Sequence, residues 1–64
     1  MAGYENQVRD YLRQNGCHFV RQGKGDHEIW FSPLTSRHVT VDSKIKSRHT
    51  ANEILKQAGI GKKF

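Results

Sequence analysis

The sequence is poor in cysteine and in long apolar stretches, and both shortages exclude whole classes of protein. Cys17 is the only cysteine among 64 residues, so no disulfide can form within the chain. A lone cysteine is more typical of a reducing compartment than of secretion. The longest apolar run is Ile29-Trp30-Phe31, whereas a membrane span needs roughly 20 apolar residues. The first residues lack the features of a signal peptide. We therefore expect a cytoplasmic protein that does not enter a membrane.

The chain is also short, and its length limits the core that it can build. A domain of this size buries only about 60% of the surface that its unfolded chain exposes. We expect a single domain over residues 1–64, with an ordered part from about residue 4 to residue 60.

Metal and nucleotide motifs are missing as well. The four histidines are separated by 9, 11 and 11 residues, which does not match the short-range ligand pairs of structural zinc sites. No two glycines are three apart, so a Gly-x-x-Gly clamp for nucleic acid is absent. The phosphate loop of nucleotide hydrolases is absent too. We predict that the protein uses neither a metal nor a cofactor.

What the sequence does contain is an uneven distribution of positive charge. Residues 1–30 carry four basic and four acidic side chains, whereas residues 31–64 carry seven basic and two acidic ones. The net charge of +5 therefore belongs to the second half of the chain. Such a basic half suits a polyanionic partner, because each phosphate that is neutralised releases counterions. A merely solubilising surface is the alternative interpretation.

Hydrophobic spacing and turn residues divide the chain into five elements. Tyr4, Val8, Tyr11 and Leu12 share a helical face, and Gly16 ends that helix. Alternating segments then predict three strands separated by turns at Gly23–Asp26 and Pro33–Ser36. Thr50 and Glu53 match a capping box that would begin the second helix, and Gly59 followed by Ile60 predicts its end. The predicted ranges are helix 4–14, strands 17–22, 27–32 and 37–41, basic loop 44–49 and helix 50–58, with 62–64 as a frayed tail.

The order α-β-β-β-α predicts an α+β domain in which two helices cover one face of a three-stranded antiparallel sheet. The other face would be open to solvent or to a ligand. With symmetric turns, Phe19, Trp30, Val39 and Val41 would share the core face. His18, His27 and His38 would then lie on the open face, although a one-residue bulge would reverse this assignment. We expect Trp30, Phe19 and Tyr11 to belong to the core.

Several of these segments resemble the HicA toxin family over nearly the whole chain, from about residue 4 to residue 60. The similarity lies in Arg21-Gln22 and Gly25-Asp26-His27 around the first hairpin, in Arg37-His38-Val39-Thr40-Val41, and in the closing Ile54-Leu55-Lys56-Gln57-Ala58-Gly59-Ile60. The histidine that follows the hairpin glycine is the most specific part. The resemblance implies a fold like that of double-stranded-RNA-binding domains, which agrees with the predicted element order.

The resemblance also implies a function. HicA toxins of type II toxin–antitoxin systems are endoribonucleases that cut mRNA without a metal, and a cognate HicB-type antitoxin covers their active site. His27 matches the catalytic histidine of the family. Two positions differ from the usual pattern: Asp26 replaces a serine, and Asp42-Ser43-Lys44 occupies the place where Pro-x-His commonly follows the third strand. The role of that second histidine would be missing, or taken by His38 or His49.

The residue types around His27 suit RNA cleavage. RNA carries its own nucleophile, the 2′-hydroxyl, and histidine can act as a general acid or base close to neutral pH. Lys24 flanks the same turn, and the amides around Gly23 and Gly25 would be able to hold a phosphate. An ordinary strand residue beside a turn is the alternative interpretation of His27.

The densest basic cluster lies before the second helix and contains Lys44, Lys46 and Arg48. Cations at a helix N-terminus oppose the helix dipole unless an anion binds there, so we predict that this cluster contacts RNA phosphates. Two further hypotheses remain open for the whole chain. One is a non-catalytic RNA-binding module with the same fold, and the other is an interaction protein whose basic surface docks an acidic antitoxin.

Overall fold

The computed structural model describes residues 3–61 and residue 64, and it confirms the predicted order of elements. Strand β2 was predicted to the residue, and the other boundaries agree within one residue, except that the second helix begins two residues earlier than predicted. The elements are α1 Glu5–Gln14, β1 His18–Gln22, β2 His27–Ser32, β3 Arg37–Asp42 and α2 Arg48–Gln57. No helix in these residues is long and apolar enough to cross a membrane.

The three strands form one antiparallel sheet in the order β1-β2-β3. Strand β2 pairs with β3 without interruption, from Ser32 opposite Arg37 to His27 opposite Asp42. The pairing of β1 with β2 shifts by one residue between Phe19 and Arg21. Because this bulge lies in β1, the side chains of β2 and β3 still alternate regularly between the two faces of the sheet.

Both helices cover the same face of the sheet. Trp30, Val39 and Val41 point to this face and are buried. They pack in one apolar cluster with residues from α1, α2 and the adjoining loops. The cluster is completed by Val8, Leu12, Cys17, Ile45, Ala51, Ile54, Leu55, Ala58 and Ile60. We call the opposite side, which carries His27, Ile29 and Phe31, the open face.

The second helix begins earlier than its capping box predicts. Ser47 has extended backbone angles and its hydroxyl accepts the His49 amide at 3.1 Å, so Ser47 is the N-cap and Arg48 is the first helical residue. The prediction of Thr50 as the cap was wrong, because serine and threonine are both good N-caps and the earlier one is used. Arg48 and His49 therefore lie in the first turn of α2 instead of in a loop.

The predicted end of α2 is confirmed. Gly59 has φ +82°, its amide donates to the Lys56 carbonyl at 3.0 Å, and the Ile60 amide donates to the Leu55 carbonyl at 2.9 Å. These are the two hydrogen bonds of a Schellman cap. Ser32 fixes the same helix end to the sheet, because its buried hydroxyl donates to the Ala58 carbonyl at 2.6 Å.

Two aromatic side chains are not where the sequence places them. Phe19 is 49% exposed, in an edge strand β1 whose residues are all exposed, although its ring lies 6.3 Å from that of Trp30 in an edge-to-face arrangement. Phe64 does not belong to a frayed tail: its ring packs on Tyr4 and Tyr11, with centroids 5.1 and 5.5 Å away. Lys62 and Lys63, the other residues of that predicted tail, lie outside the described residues.

A polar cluster of Arg9, Glu28 and Trp30 joins α1 to the sheet. The Arg9 Nε and Nη2 atoms each lie 3.2 Å from a Glu28 carboxylate oxygen, and the Trp30 indole N–H donates to Glu28 at 2.9 Å. Burial raises the pKa of Glu28, but the hydrogen bonds from Trp30 and Arg9 outweigh burial, so that its pKa lies below the ordinary 4.5. The ionised carboxylate therefore stabilises the fold.

We predict that Glu28→Gln lowers the free energy of unfolding by about 1–3 kcal/mol at pH 7, because two charge-assisted hydrogen bonds are lost. A folded-state pKa below the ordinary value gives stability that is present above pH 4.5 and is lost as the pH falls through the lowered pKa. The difference between the two proteins should therefore shrink in acid. Urea unfolding at pH 7 and at pH 3 measures both effects.

The matched control is Asp10→Asn, which breaks the exposed contact between Asp10 and Arg13 at 3.2 Å. These two side chains are 66% and 60% exposed, so the loss should be below about 0.5 kcal/mol. Equal losses for the two variants would contradict a structural role for the polar cluster of Arg9, Glu28 and Trp30.

Candidate active site

His27 lies on the open face, at the first residue of β2. Side chains alternate along a strand, so Trp30 pointing to the core places His27, Ile29 and Phe31 on the opposite side. The imidazole is exposed, and the face predicted for it is confirmed. A ligand that approaches the sheet from solvent can therefore reach this ring.

The turn before β2 holds the backbone of His27 firmly. The His27 carbonyl accepts the Gly23 amide at 2.7 Å and the Gln22 side-chain amide at 2.9 Å. The Gln22 side chain also donates to the Gly25 carbonyl at 3.3 Å, and Gly25 has φ +64°. A Cβ at residue 23 would lie 3.1–3.3 Å from Ile29 side-chain carbons and from the His27 carbonyl oxygen. The two glycines allow this tight turn, and the turn fixes the position of the His27 backbone from which the imidazole extends.

The imidazole itself contacts a carboxylate. His27 Nδ1 lies 2.6 Å from Asp42 Oδ1, and the two side chains are 49% and 41% exposed. The two residues face each other at the end of the β2–β3 ladder. With Nδ1 directed to Asp42, the Nε2 atom is left to face a ligand.

The His27–Asp42 pair borders an open depression of about 300 Å³. Its wall consists of Asp26, His27, Asp42, Ser43 and Lys44. The Ser43 amide donates to the Asp26 carbonyl at 2.9 Å, which joins the turn before β2 to the loop after β3. The depression thus contains a histidine, its carboxylate partner, a second carboxylate and a lysine.

The loop that carries Lys44 is anchored through Ile45. The Ile45 side chain is buried, its amide donates to Glu5 Oε1 at 2.8 Å, and its carbonyl accepts the Tyr4 amide at 2.6 Å. The hydrogen bond from Ile45 is the main reason why the pKa of Glu5 lies below its ordinary value. Lys44 and Lys46 flank this anchor and are both exposed.

The predicted phosphate-binding residues fall into three places. Lys44 shares the depression with His27, whereas Lys24 and Gly25 lie in the turn before β2. Lys46 and Arg48 are exposed next to the start of α2 and do not line the depression. The Gly23 amide cannot hold a phosphate, because it donates to the His27 carbonyl. A Cβ added at Gly25 would meet no atom within 4 Å, so this side of the turn is open to a ligand.

Histidine, cysteine and carboxylate side chains do not gather into a metal centre within residues 3–61 and 64, since no group of three or more potential ligands occurs there.

His38 and His49 are the two candidates to replace the second histidine of the family. His38 lies opposite Phe31, four residues along β3 from Asp42. That separation is about 13 Å in an extended strand. His49 lies in the first turn of α2.

Asp42 is the site residue that the sequence analysis missed as a partner of His27. The signal was available, because a turn of four residues between Ser32 and Arg37 places residue 42 opposite residue 27. Asp42 also stands where the HicA pattern has proline, and Lys44 stands where it has histidine. The two departures from the pattern therefore line the same depression as His27.

One family model matches nearly the whole chain. No curated protein and no solved structure matches the chain. The model of the family described as HicA toxin of bacterial toxin–antitoxin matches residues 6–60, which include every strand, all of α2 and nearly all of α1. The chain therefore belongs to the HicA toxin family, the toxin side of bacterial toxin–antitoxin systems, and this membership implies a cognate antitoxin as its partner.

Proposed function

We propose that the protein is a metal-independent endoribonuclease that cleaves mRNA, with His27 as its catalytic residue, and that a HicB-type antitoxin neutralises it. The observation that carries this proposal is the contact of 2.6 Å between His27 Nδ1 and Asp42, at the edge of an exposed depression. An exposed histidine oriented by a carboxylate is a common arrangement for proton transfer. The metal-independent part rests on the resemblance to HicA toxins.

The reaction needs one bond to form and one to break. The 2′-oxygen of the RNA attacks the adjacent phosphorus, and the bond from phosphorus to the 5′-oxygen breaks. The proton of the 2′-hydroxyl goes to a base, and the leaving 5′-oxygen takes a proton from an acid. His27 supplies one of these two transfers through Nε2, because Asp42 accepts a hydrogen bond from Nδ1–H and thereby selects the tautomer. One positioned acid or base contributes about 10²–10⁴-fold to the rate.

Lys44 is the cation that we assign to the reacting phosphate. It lines the same depression as His27, and its loop is anchored by the buried Ile45. A fixed positive charge stabilises the charge that develops on the phosphate oxygens in the transition state. Lys24 and the Gly25 backbone would contact a neighbouring phosphate from the turn.

A non-catalytic RNA-binding module is the second candidate function. Asp26 favours it, because its carboxylate lines the depression and repels an incoming phosphate. Binding through Lys46 and Arg48 would persist in such a protein. An antitoxin-docking protein without RNA affinity is a third hypothesis; RNA cleavage and RNA affinity together separate the three.

We predict that the purified chain cleaves a long, weakly structured RNA in the presence of EDTA and that His27→Ala abolishes this cleavage. Loss of the histidine to which we assign proton transfer should reduce the rate by at least 100-fold. Gel analysis of the RNA over time gives the rates. His49→Ala is the matched control, because His49 is an exposed histidine of α2 that does not line the depression.

Cleavage that survives in His27→Ala would remove His27 from its role. If the folded wild-type protein leaves the RNA intact but binds it, the protein is an RNA-binding module. If it does not bind RNA either, it is a docking protein. Activity that EDTA removes would contradict the metal-independent part of the proposal.

Asp42→Asn should reduce kcat by at least about 10-fold and leave the affinity for RNA unchanged. The amide can present its N–H to Nδ1, which stabilises the wrong tautomer of His27. Asp42→Glu should restore part of the rate, since the carboxylate returns. Single-turnover rates at increasing concentrations of protein, always in excess over the RNA, separate the rate of cleavage from binding.

Asp26→Asn is the matched control for Asp42, because it removes the same charge from the same depression. This variant should keep kcat and bind RNA at least as tightly as the wild type. If both asparagine variants lost kcat equally, the role of Asp42 would be one of charge alone, and the positioning argument would be wrong.

The combined variant Lys44→Ala, Lys46→Ala and Arg48→Ala should weaken RNA binding and flatten its dependence on salt. Each phosphate contact contributes roughly 0.7 to the slope of log affinity against log salt for single strands, so three contacts amount to about 2. Lys56→Ala, in the last turn of α2, is the control and should change the slope little. An unchanged slope in the combined variant would contradict phosphate binding by this cluster.

A further inference from the structure

Three aromatic rings lie side by side across the open face, one from each strand. The ring of Phe31 lies 5.7 Å from that of His18 and 5.4 Å from that of His38, measured between centroids. The register places His18 and His38 directly opposite Phe31 on its two sides. We call these three side chains the ring row.

The core does not account for the ring row. Its members point away from both helices, and none of them belongs to the apolar cluster beneath the sheet. His18 and His38 are exposed, and Phe31 is only partly buried between them. Cross-strand packing stabilises the sheet to some extent, yet it does not require three flat rings on a face that no described element covers.

The charge around the ring row suits a nucleic acid. The neighbouring positions towards His27 are Arg21, Ile29 and Thr40, which face one another across the three strands. Neither these residues nor the ring row includes a carboxylate, and Arg21 adds a positive charge. The nearest acidic residue along β3 is Asp42, whose carboxylate already contacts His27.

The ring row also lies at a useful distance from His27. Phe31 follows His27 by four residues in β2 and has the same orientation, so that the two side chains are separated by about 13 Å along the strand. An RNA strand whose reacting phosphate lies at His27 would therefore carry a base a few nucleotides away over the ring row.

We propose that the ring row is a stacking site for an unpaired base of the RNA strand. This inference rests on the proposed function, since it describes how the same substrate is bound. Stacking on an aromatic face tolerates every base, because each base has a flat π-surface. The site therefore favours single-stranded RNA, because the bases of a duplex are already stacked on one another.

The test is the affinity of Phe31→Leu for two probes of equal length that cannot be cleaved. One is a single strand of 2′-O-methyl RNA, and the other has the same backbone without any bases. Leucine preserves an apolar side chain between His18 and His38 but removes the ring. The variant should bind the strand with bases at least 5-fold more weakly than the wild type, and it should bind the strand without bases equally well.

The matched control is Phe19→Leu, the same substitution at an exposed phenylalanine on the other face of the sheet. It should leave both affinities unchanged. His38→Thr removes a ring at the end of the row and keeps a residue that suits a strand, so it provides a second variant if Phe31→Leu unfolds. Circular dichroism of each variant establishes that the sheet is intact.

Equal binding of the strand with bases by wild type, Phe31→Leu and His38→Thr would overturn the proposal, and the face would then be free for another partner such as a protein. Equal weakening for both probes would also overturn it, because loss of backbone contacts would explain the result. Neither outcome depends on cleavage, so a failed stacking site and a failed ribonuclease are distinguished.

Discussion

The uninterrupted pairing of β2 with β3 is the constraint on which the rest of the structure depends. With Trp30 opposite Val39, these side chains enter the core beneath the helices. The same register brings His27 opposite Asp42 on the side that faces solvent. A shift of one residue would bury the histidine and expose the tryptophan. Core burial therefore stabilises the orientation of the candidate active site, although no residue of the site belongs to the core.

A domain with so few core residues positions its loops through polar contacts. Glu5 accepts the Ile45 amide and thereby holds the loop that presents Lys44. Ser32 ties the end of α2 to β2, and Arg9 ties α1 to Glu28. These contacts join a helix to the sheet or to a loop and add to the apolar cluster between the helices and the sheet. In this small protein the polar contacts fix the position of the loops around the site, a role that additional apolar packing would have in a larger protein.

Regular local patterns predicted most of the fold. The strands and the glycine-based helix ends follow from alternation and from turn chemistry, and both are local properties. The start of α2 was missed because Ser47 and Thr50 are equally capable caps, and only the path of the chain selects between them. Phe19 and Phe64 were misplaced for a similar reason: whether an aromatic ring finds a partner depends on contacts with residues far away in sequence. The assignment of His27 as a site residue rested on the resemblance to HicA toxins. The position of Asp42 opposite His27 could be derived from the hairpin register, but the direction of its carboxylate could not.

The proposed role of His27, oriented by Asp42, is to catalyse attack by the 2′-hydroxyl of RNA. The most direct measurement is the chemical identity of the new RNA ends formed by the purified chain. Attack by the 2′-oxygen predicts a 2′,3′-cyclic phosphate, or its opened 3′-phosphate, on one fragment and a 5′-hydroxyl on the other. A 5′-phosphate with a 3′-hydroxyl would show that water attacked the phosphorus, and this result would contradict the proposed role of His27.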